Sequence, residues 1–257
     1  MSKDDSLGPI RVGIGGWTFA PWRETFYPKG LRQADERAYA VAKMGAIEIN
    51  ATFYGRQKPA SWAAWATDLP PDFRFSLKGS RYVASRKALA EAGDGIAQFV
   101  AQGFTALGPN LGPILWQFAP TRQFDADDVE AFLALLPDAH DGVPLRHALE
   151  PRHESFADPR FADLCHARGA TVVFADDETY PCIDATVGAP FVYARLQRQR
   201  AEIETGYSAE ELQHWAERAR GWAVGGREVF LFMINGAKER APAAALALQA
   251  ALAEKAR

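Results

Sequence analysis

The stretch ALEPRHESF places Glu150, Pro151, Arg152 and His153 directly after the apolar pair Ala148-Leu149. A carboxylate, a guanidinium and an imidazole within four positions offer a proton acceptor, an anion grip and a second titratable group. Charged groups cost several kcal/mol to bury unless they are paired or hydrogen-bonded. Either this is an ordinary polar loop or it is the rim of a site. The same pattern recurs along the chain. Glu48 and Asn50 close AIEIN, Lys78 closes FRFSLK and Gln117 stands near the end of PILWQF. Asp176 closes TVVFAD, Arg195 stands near the end of FVYARL, and Asn235 closes VFLFMIN.

Side chains of a strand alternate between its two faces. Glu48 and Asn50 therefore oppose Ile47 and Ile49, and Arg74, Ser76 and Lys78 oppose Phe73, Phe75 and Leu77. Gln117 opposes Ile114, Trp116 and Phe118 in the same way. Glu150 opposes Leu149, and Arg152 keeps the parity of Glu150. Tyr193 shares a face with Arg195, and Met233 with Asn235. A polar residue near one strand end is ordinary fraying; a repeat of it in strand after strand predicts a shared polar mouth. Pro151 stops the ladder after Glu150, since it has no N–H to give. Arg152 and His153 are thereby carried onto the rim.

The elements that must position these groups are short apolar runs bounded by turn residues. Eight strands are predicted: RVGIGG (11–16), AIEIN (46–50), FRFSLK (73–78), PILWQF (113–118), HALE (147–150), TVVFAD (171–176), FVYARL (191–196) and VFLFMIN (229–235). Helical patterns fill most gaps, among them ADERAYAVAKMG, DADDVEAFLALLP and SAEELQHWAERARGWAVGG. Asp125 and Ser208 are predicted N-caps, Ser208 with Glu211 forming a capping box, and Gly45, Gly169 and Gly225 are placed as C-cap glycines. The gap DETYPCIDATVGAP carries no helix pattern. Strands alternating with helices pair in parallel, and eight such units predict an α/β fold, a single (β/α)8 TIM barrel. Its active sites belong at the C-terminal ends of the strands. The rival, an open doubly wound sheet, lacks its phosphate signature, because GIGGW is not GxGxxG. The barrel domain is placed at 11–257, after a disordered or extended lead over 1–10.

The chain has 257 residues, 48% hydrophobic and 24% charged, with a net charge of −3. That balance argues against a broad nucleic-acid or anionic-membrane surface, while leaving room for a local basic pocket. The lead MSKDDSLGPIR lacks the apolar core of a signal peptide, and no apolar run is long enough to span a bilayer. Cys165 and Cys182 are far apart, outside any CxxC spacing, and are expected to be reduced packing residues of a cytoplasmic protein.

No GxSxG elbow is present, so a nucleophilic triad is not expected. Of five histidines only His153 reaches the expected mouth, and no HxH or HExxH spacing occurs. No metal and no cofactor are expected, although Glu48, Glu150 and Asp176 leave a hard-cation site as an alternative.

EINATFY, FSLKGSRY, PILWQFAP, LEPRHESF, FVYARL, YSAEELQHWAERARGW and FMINGAKERAP, in this order, resemble the domain-of-unknown-function 72 (YecE-like) family. The resemblance runs from about Val12 to the last helix and implies a single-domain TIM barrel. It implies a polar mouth at Glu48, Asn50, Tyr54, Lys78, Arg81, Glu150, Arg152, His153, Arg195 and Asn235. The chain departs from the pattern in two places. Gln197-Arg198 follow Arg195-Leu196 where His-Gly is common, and Ile234 stands where the first of two asparagines is usual. Arg240 also replaces a frequent aromatic.

Together these groups predict an enzyme that works by acid/base chemistry on a small anionic or polyhydroxylated metabolite, without a cofactor. Hydrolase, isomerase and lyase chemistry all fit. Glu150 is assigned as general base or acid, and Lys78 and His153 accompany it as catalytic candidates, Lys78 stabilising negative charge. Arg152 and Arg195 grip the anionic group. Glu48, Asn50, Arg81, Gln117, Asp176 and Asn235 line the mouth, and Trp17, Trp22 and Tyr54 offer a flat wall for a ring or sugar. For the two tryptophans the alternative is a loop-anchoring role. Two other classes remain beside the enzyme: a divalent-metal-dependent hydrolase or isomerase, and a non-catalytic ligand, nucleic-acid or protein binding module using QRQRAEIETGY.

Overall fold

The computed structural model describes residues 6–254. The first five residues of the expected lead and the last three of the expected domain lie outside the described residues. Within the lead, the N–H of Gly8 donates to Ala223 O at 2.8 Å and that of Gly226 to Ser6 O at 2.8 Å.

The strands are β1 (Ile10–Gly15), β2 (Ala46–Ile49), β3 (Arg74–Lys78), β4 (Leu111–Gln117), β5 (Ala139–His140), β6 (Val143–Pro144), β7 (His147–Glu150), β8 (Thr171–Val172), β9 (Phe174–Asp176), β10 (Val192–Leu196) and β11 (Val229–Met233). Nine of them follow the order β8-β7-β4-β3-β2-β1-β11-β10-β9. The registered pairs among these nine are parallel. With helices in the crossovers, the fold is α/β and TIM-barrel-like.

The ninth strand corrects the count of eight. TVVFAD is not one strand but two, β8 and β9, divided at Val173, where the pairing partner changes. Leu149 of β7 pairs with Val172, and its carbonyl then accepts from Val173 N–H at 2.9 Å. Three residues later the carbonyl of Asp176 accepts from Gln197 N–H at 3.0 Å. A hairpin, β5 with β6, was also not anticipated. Its turn is Asp141-Gly142, both at positive φ (47° and 75°). Asp-Gly is a strong two-residue hairpin signal, and it stood in the sequence.

The contacts group the chain into two compact units. Among the described residues, the first comprises 6–48, 176–178 and 191–254, the second 49–175 and 179–190.

In the first unit, β2, β1, β11 and β10 lie side by side. The helix Ala241–Ala253 buries Ala244, Ala245 and Leu248. The helix Ala209–Ala223 starts with the expected capping box, Ser208 Oγ accepting from Glu211 N–H while Glu211 accepts from Ser208 N–H. Gly225 is left-handed (φ 75°), as its place at a helix end requires. Gly45 is not, and is a correction. A Cβ there would meet Arg11 Cα at 3.2 Å, so close backbone packing rather than a cap calls for glycine.

In the second unit, alternation along β4 sends Trp116 to the helix side, with its ring 5.3 Å from Phe99 and 5.8 Å from Phe132. Burying one large apolar side chain contributes about 1.5–3 kcal/mol. Asp125 caps the helix Ala126–Leu135 as expected, accepting from the N–H of Asp127 and Asp128. Gly169 is left-handed at φ 67°. Cys165 is buried, as a packing residue should be, and burial pushes its thiol pKa up. Cys182 corrects the other half of that expectation. It is exposed, in the stretch between β9 and β10 that forms neither helix nor strand.

His147 belongs to this core. Its Nδ1 accepts from Trp116 Nε1 at 3.1 Å, so its Nε2–H donates to Pro137 O at 2.9 Å. Burial holds its pKa below the ordinary imidazole value. A lowered folded pKa means that the unfolded chain binds the proton more readily. The neutral ring's contribution is then complete above about pH 6.5 and is lost as pH falls below it. His147→Gln can keep both hydrogen bonds without titrating. Its denaturation midpoint is expected to fall less than that of the wild type between about pH 7.5 and pH 5. Equal losses in the two proteins would contradict this.

Candidate functional site

In the first unit the side chains of Glu48, Tyr193 and Arg195 converge. Arg195 Nε and Nη2 donate to Glu48 Oε2 and Oε1, both at 3.2 Å, and Tyr193 Oη–H donates to Oε2 at 2.7 Å. Glu48 and Tyr193 are 0% exposed and Arg195 1%. Register explains the meeting. Arg195 pairs with Phe232, Phe232 with Gly13, and Gly15 with Glu48. The three residues therefore point to one side of a curved four-stranded segment. Gly13 is on that side of β1, and a Cβ there would meet Ala46 O at 1.9 Å, so the close approach of β2 calls for glycine. The guanidinium assigned as an anion grip is thus committed to a buried, bidentate carboxylate.

Asp176 ends β9 against Arg198, whose Nε lies 3.1 Å from Asp176 Oδ1. Burial pushes the Asp176 carboxyl above the usual carboxylate range, and Arg198 and Arg218 pull it back only in part. With Tyr207, His214 and Trp215, these two line a cleft of about 360 Å³. Asn235 lies just beyond β11, left-handed at φ 56° and exposed, and its amide donates to Gln197 Oε1. Trp17 is half-buried, its carbonyl accepting from Tyr27 Oη–H. Trp22 is fully buried, with Nε1 donating to Lys238 O at 2.9 Å, an anchor of its loop.

In the second unit Gln117, Glu150 and Arg152 meet. Gln117 Nε2 donates to Glu150 Oε2 at 2.9 Å, and Arg152 Nε lies 3.4 Å from Oε1. Glu150 is 1% exposed, whereas the Arg152 side chain keeps 17% and lies over the Tyr180 ring, 4.4 Å from its centroid. The ladder pairs Lys78 with Leu115 and Glu150 with Gln117, two residues further along β4. Lys78 and Glu150 therefore face the same side, two strand spacings or roughly 10 Å apart across the sheet. Lys78 Nζ rests over the Phe53 ring at 4.5 Å. His153 turns elsewhere: its Nδ1 accepts from Ser155 N–H at 3.2 Å and caps the short turn Glu154–Ala157. Asn50 is half-buried, at the start of the short helix Ala51–Tyr54. Tyr54 and Arg81 are exposed and line a cleft with Phe53, Tyr82, Arg86 and Lys87.

Among the described residues, no group of three or more His, Cys, Asp or Glu side chains stands close enough to hold a metal ion. Nor is any described helix long and apolar enough to cross a membrane.

Residues 11–257 match the family model described as "Protein of unknown function DUF72". The chain belongs to the DUF72 family. Among solved structures, a DUF72 family protein of Enterococcus faecalis V583 is 17% identical with a TM-score of 0.72, each chain being covered to 97%. One from Thermotoga maritima MSB8 is 23% identical with a TM-score of 0.72, over 93% of this chain and 96% of that one. A xylose isomerase-like TIM barrel/4-hydroxyphenylpyruvate dioxygenase fusion protein is 13% identical with a TM-score of 0.50, over 93% of this chain and 42% of that one. These likenesses show the fold. No curated protein matches the chain.

Four participants escaped the sequence-based site of this DUF72 chain. Tyr193 had the right parity beside Arg195 and was the most accessible to reasoning. Tyr180 sits in the stretch without periodicity, so nothing pointed to it. Arg198 and Gln197 fall where the family pattern is broken. They supply the counter-charge of Asp176 and the partner of Asn235, so the departures carry contacts rather than gaps.

Proposed function

We propose that this DUF72 protein is an enzyme acting by acid/base chemistry on a small anionic or polyhydroxylated molecule, with Glu150 as the proton-transferring group. The observation that carries the reading is a buried carboxylate at the C-terminal end of a barrel strand, where this fold class keeps its active sites. One of its oxygens is held by a neutral amide, Gln117, and the other faces a guanidinium at the long distance of 3.4 Å. That contact is loose enough for Arg152 to serve a second anion. In the proposal, Arg152 binds the substrate's anionic group from its seat over Tyr180, and Glu150 takes or returns a proton. Lys78, on the same side of the sheet, stabilises negative charge developing on a substrate oxygen. His153 holds the turn that follows Arg152 and acts on position rather than on protons. Hydrolysis, isomerisation and elimination all use these parts. The test is Glu150→Gln. Capture of a small anionic or sugar-like ligand by the native protein, read by mass spectrometry, is expected to disappear in that variant while folding stability is kept.

A further inference from the structure

We propose that the cleft lined by Tyr54, Arg81, Tyr82, Arg86 and Lys87 binds a nucleoside phosphate, a phosphate joined to a planar base, separately from the Glu150 site. The cleft measures about 480 Å³, and the described side chains lining it include three bases, three aromatics and no acid. The two tyrosines are unusually open for their size, Tyr54 at 75% and Tyr82 at 60% exposed. A single exposed aromatic means little, but two on one basic cleft are flat platforms left uncovered. Arg86 is already seated: its guanidinium lies 4.5 Å from the Tyr82 ring centroid and donates to Tyr82 Oη.

The adjoining cleft, about 730 Å³, shares Arg86 and Lys87 and adds Arg122. Of its three acids, Asp125 and Asp128 are engaged with backbone N–H groups, Asp128 with Arg122 as well, while Glu91 is exposed on its rim. The Nε–H groups of Arg86 and Arg122 are buried without an acceptor. The cations lining the first cleft, Arg81, Arg86 and Lys87, suit phosphate oxygens, and the tyrosine faces suit a base. The overall charge of −3 speaks against a broad nucleic-acid surface but not against this local one.

Two sources share this chemistry, a free nucleotide and a single strand. The test uses fluorescence-labelled thymidine monophosphate and a labelled short oligothymidylate, titrated with the full chain, with inorganic phosphate as competitor. The expected result is binding that weakens steeply with salt. It should fall at least about tenfold in Arg81→Gln/Lys87→Gln, with a shallower salt slope. In Tyr54→Ala it should fall at least about threefold with the slope unchanged. Equal affinity for both probes identifies a free nucleotide; a tighter oligothymidylate identifies a strand. Glu150→Gln should leave this binding in place, so the two proposals stand or fall apart. Failure of both probes to bind, displacement by inorganic phosphate as readily as by nucleotide, or indifference to either variant overturns it.

Discussion

Arg195→Met is expected to lower the unfolding free energy by about 3–5 kcal/mol. Glu48 and Arg195 are both withdrawn from water, at 0% and 1% side-chain exposure, and are joined by two hydrogen bonds. Removing the cation leaves in the interior a carboxylate without its counter-charge from Arg195, still accepting from Tyr193. The cost is mostly that of the abandoned charge and not the worth of the pair itself. The double variant Glu48→Gln/Arg195→Met, which leaves no charge behind and keeps an acceptor for Tyr193, should therefore recover most of the loss. Urea denaturation of the three proteins decides this. A single variant within about 1 kcal/mol of the wild type would show that the network has water or slack that the geometry does not display.

That network also marks how far the sequence could be read. Alternation placed Glu48, Tyr193 and Arg195 on the proper faces, because the period of a strand is local and burial follows it. Their mutual contact was out of reach, since Glu48 and Arg195 lie 147 positions apart and meet only because strands curl together. The eight predicted strands all correspond to observed ones, HALE over the same four residues. The division of TVVFAD at Val173 was not legible, because a continuous apolar run looks the same whether its hydrogen bonds go to one neighbour or to two in turn. Caps with a side-chain signature, Asp125 and the Ser208–Glu211 box, were legible to the residue. Gly45 was not, because glycine at a helix end and glycine under a crossing strand read alike. Tyr54 and Arg81, placed in the mouth by resemblance, line one cleft with Phe53, whose ring lies under Lys78. Family patterns fix which positions are polar more firmly than which of them touch.

The second large effect concerns Glu150, and it separates function from structure because its cation is not like Arg195. Arg152 keeps 17% of its side chain in water and has an aromatic ring beneath it. It does not depend on Glu150 for solvation, so Glu150→Gln should cost less than about 1 kcal/mol. The amide keeps the size of the carboxylate and still accepts from Gln117 Nε2. What it loses is the negative charge and the ability to take a proton. For a working carboxylate, turnover or capture of an anionic or polyhydroxylated ligand should fall by at least about two orders of magnitude, as general acid/base contributions do. The deciding measurement is a urea denaturation curve of Glu150→Gln beside the wild type, run on the sample used for ligand capture. Superimposable curves and a lost ligand are expected. A stability loss of about 3–5 kcal/mol would instead make Glu150 a structural partner of Arg152, as Glu48 is of Arg195, and would contradict the proposed role.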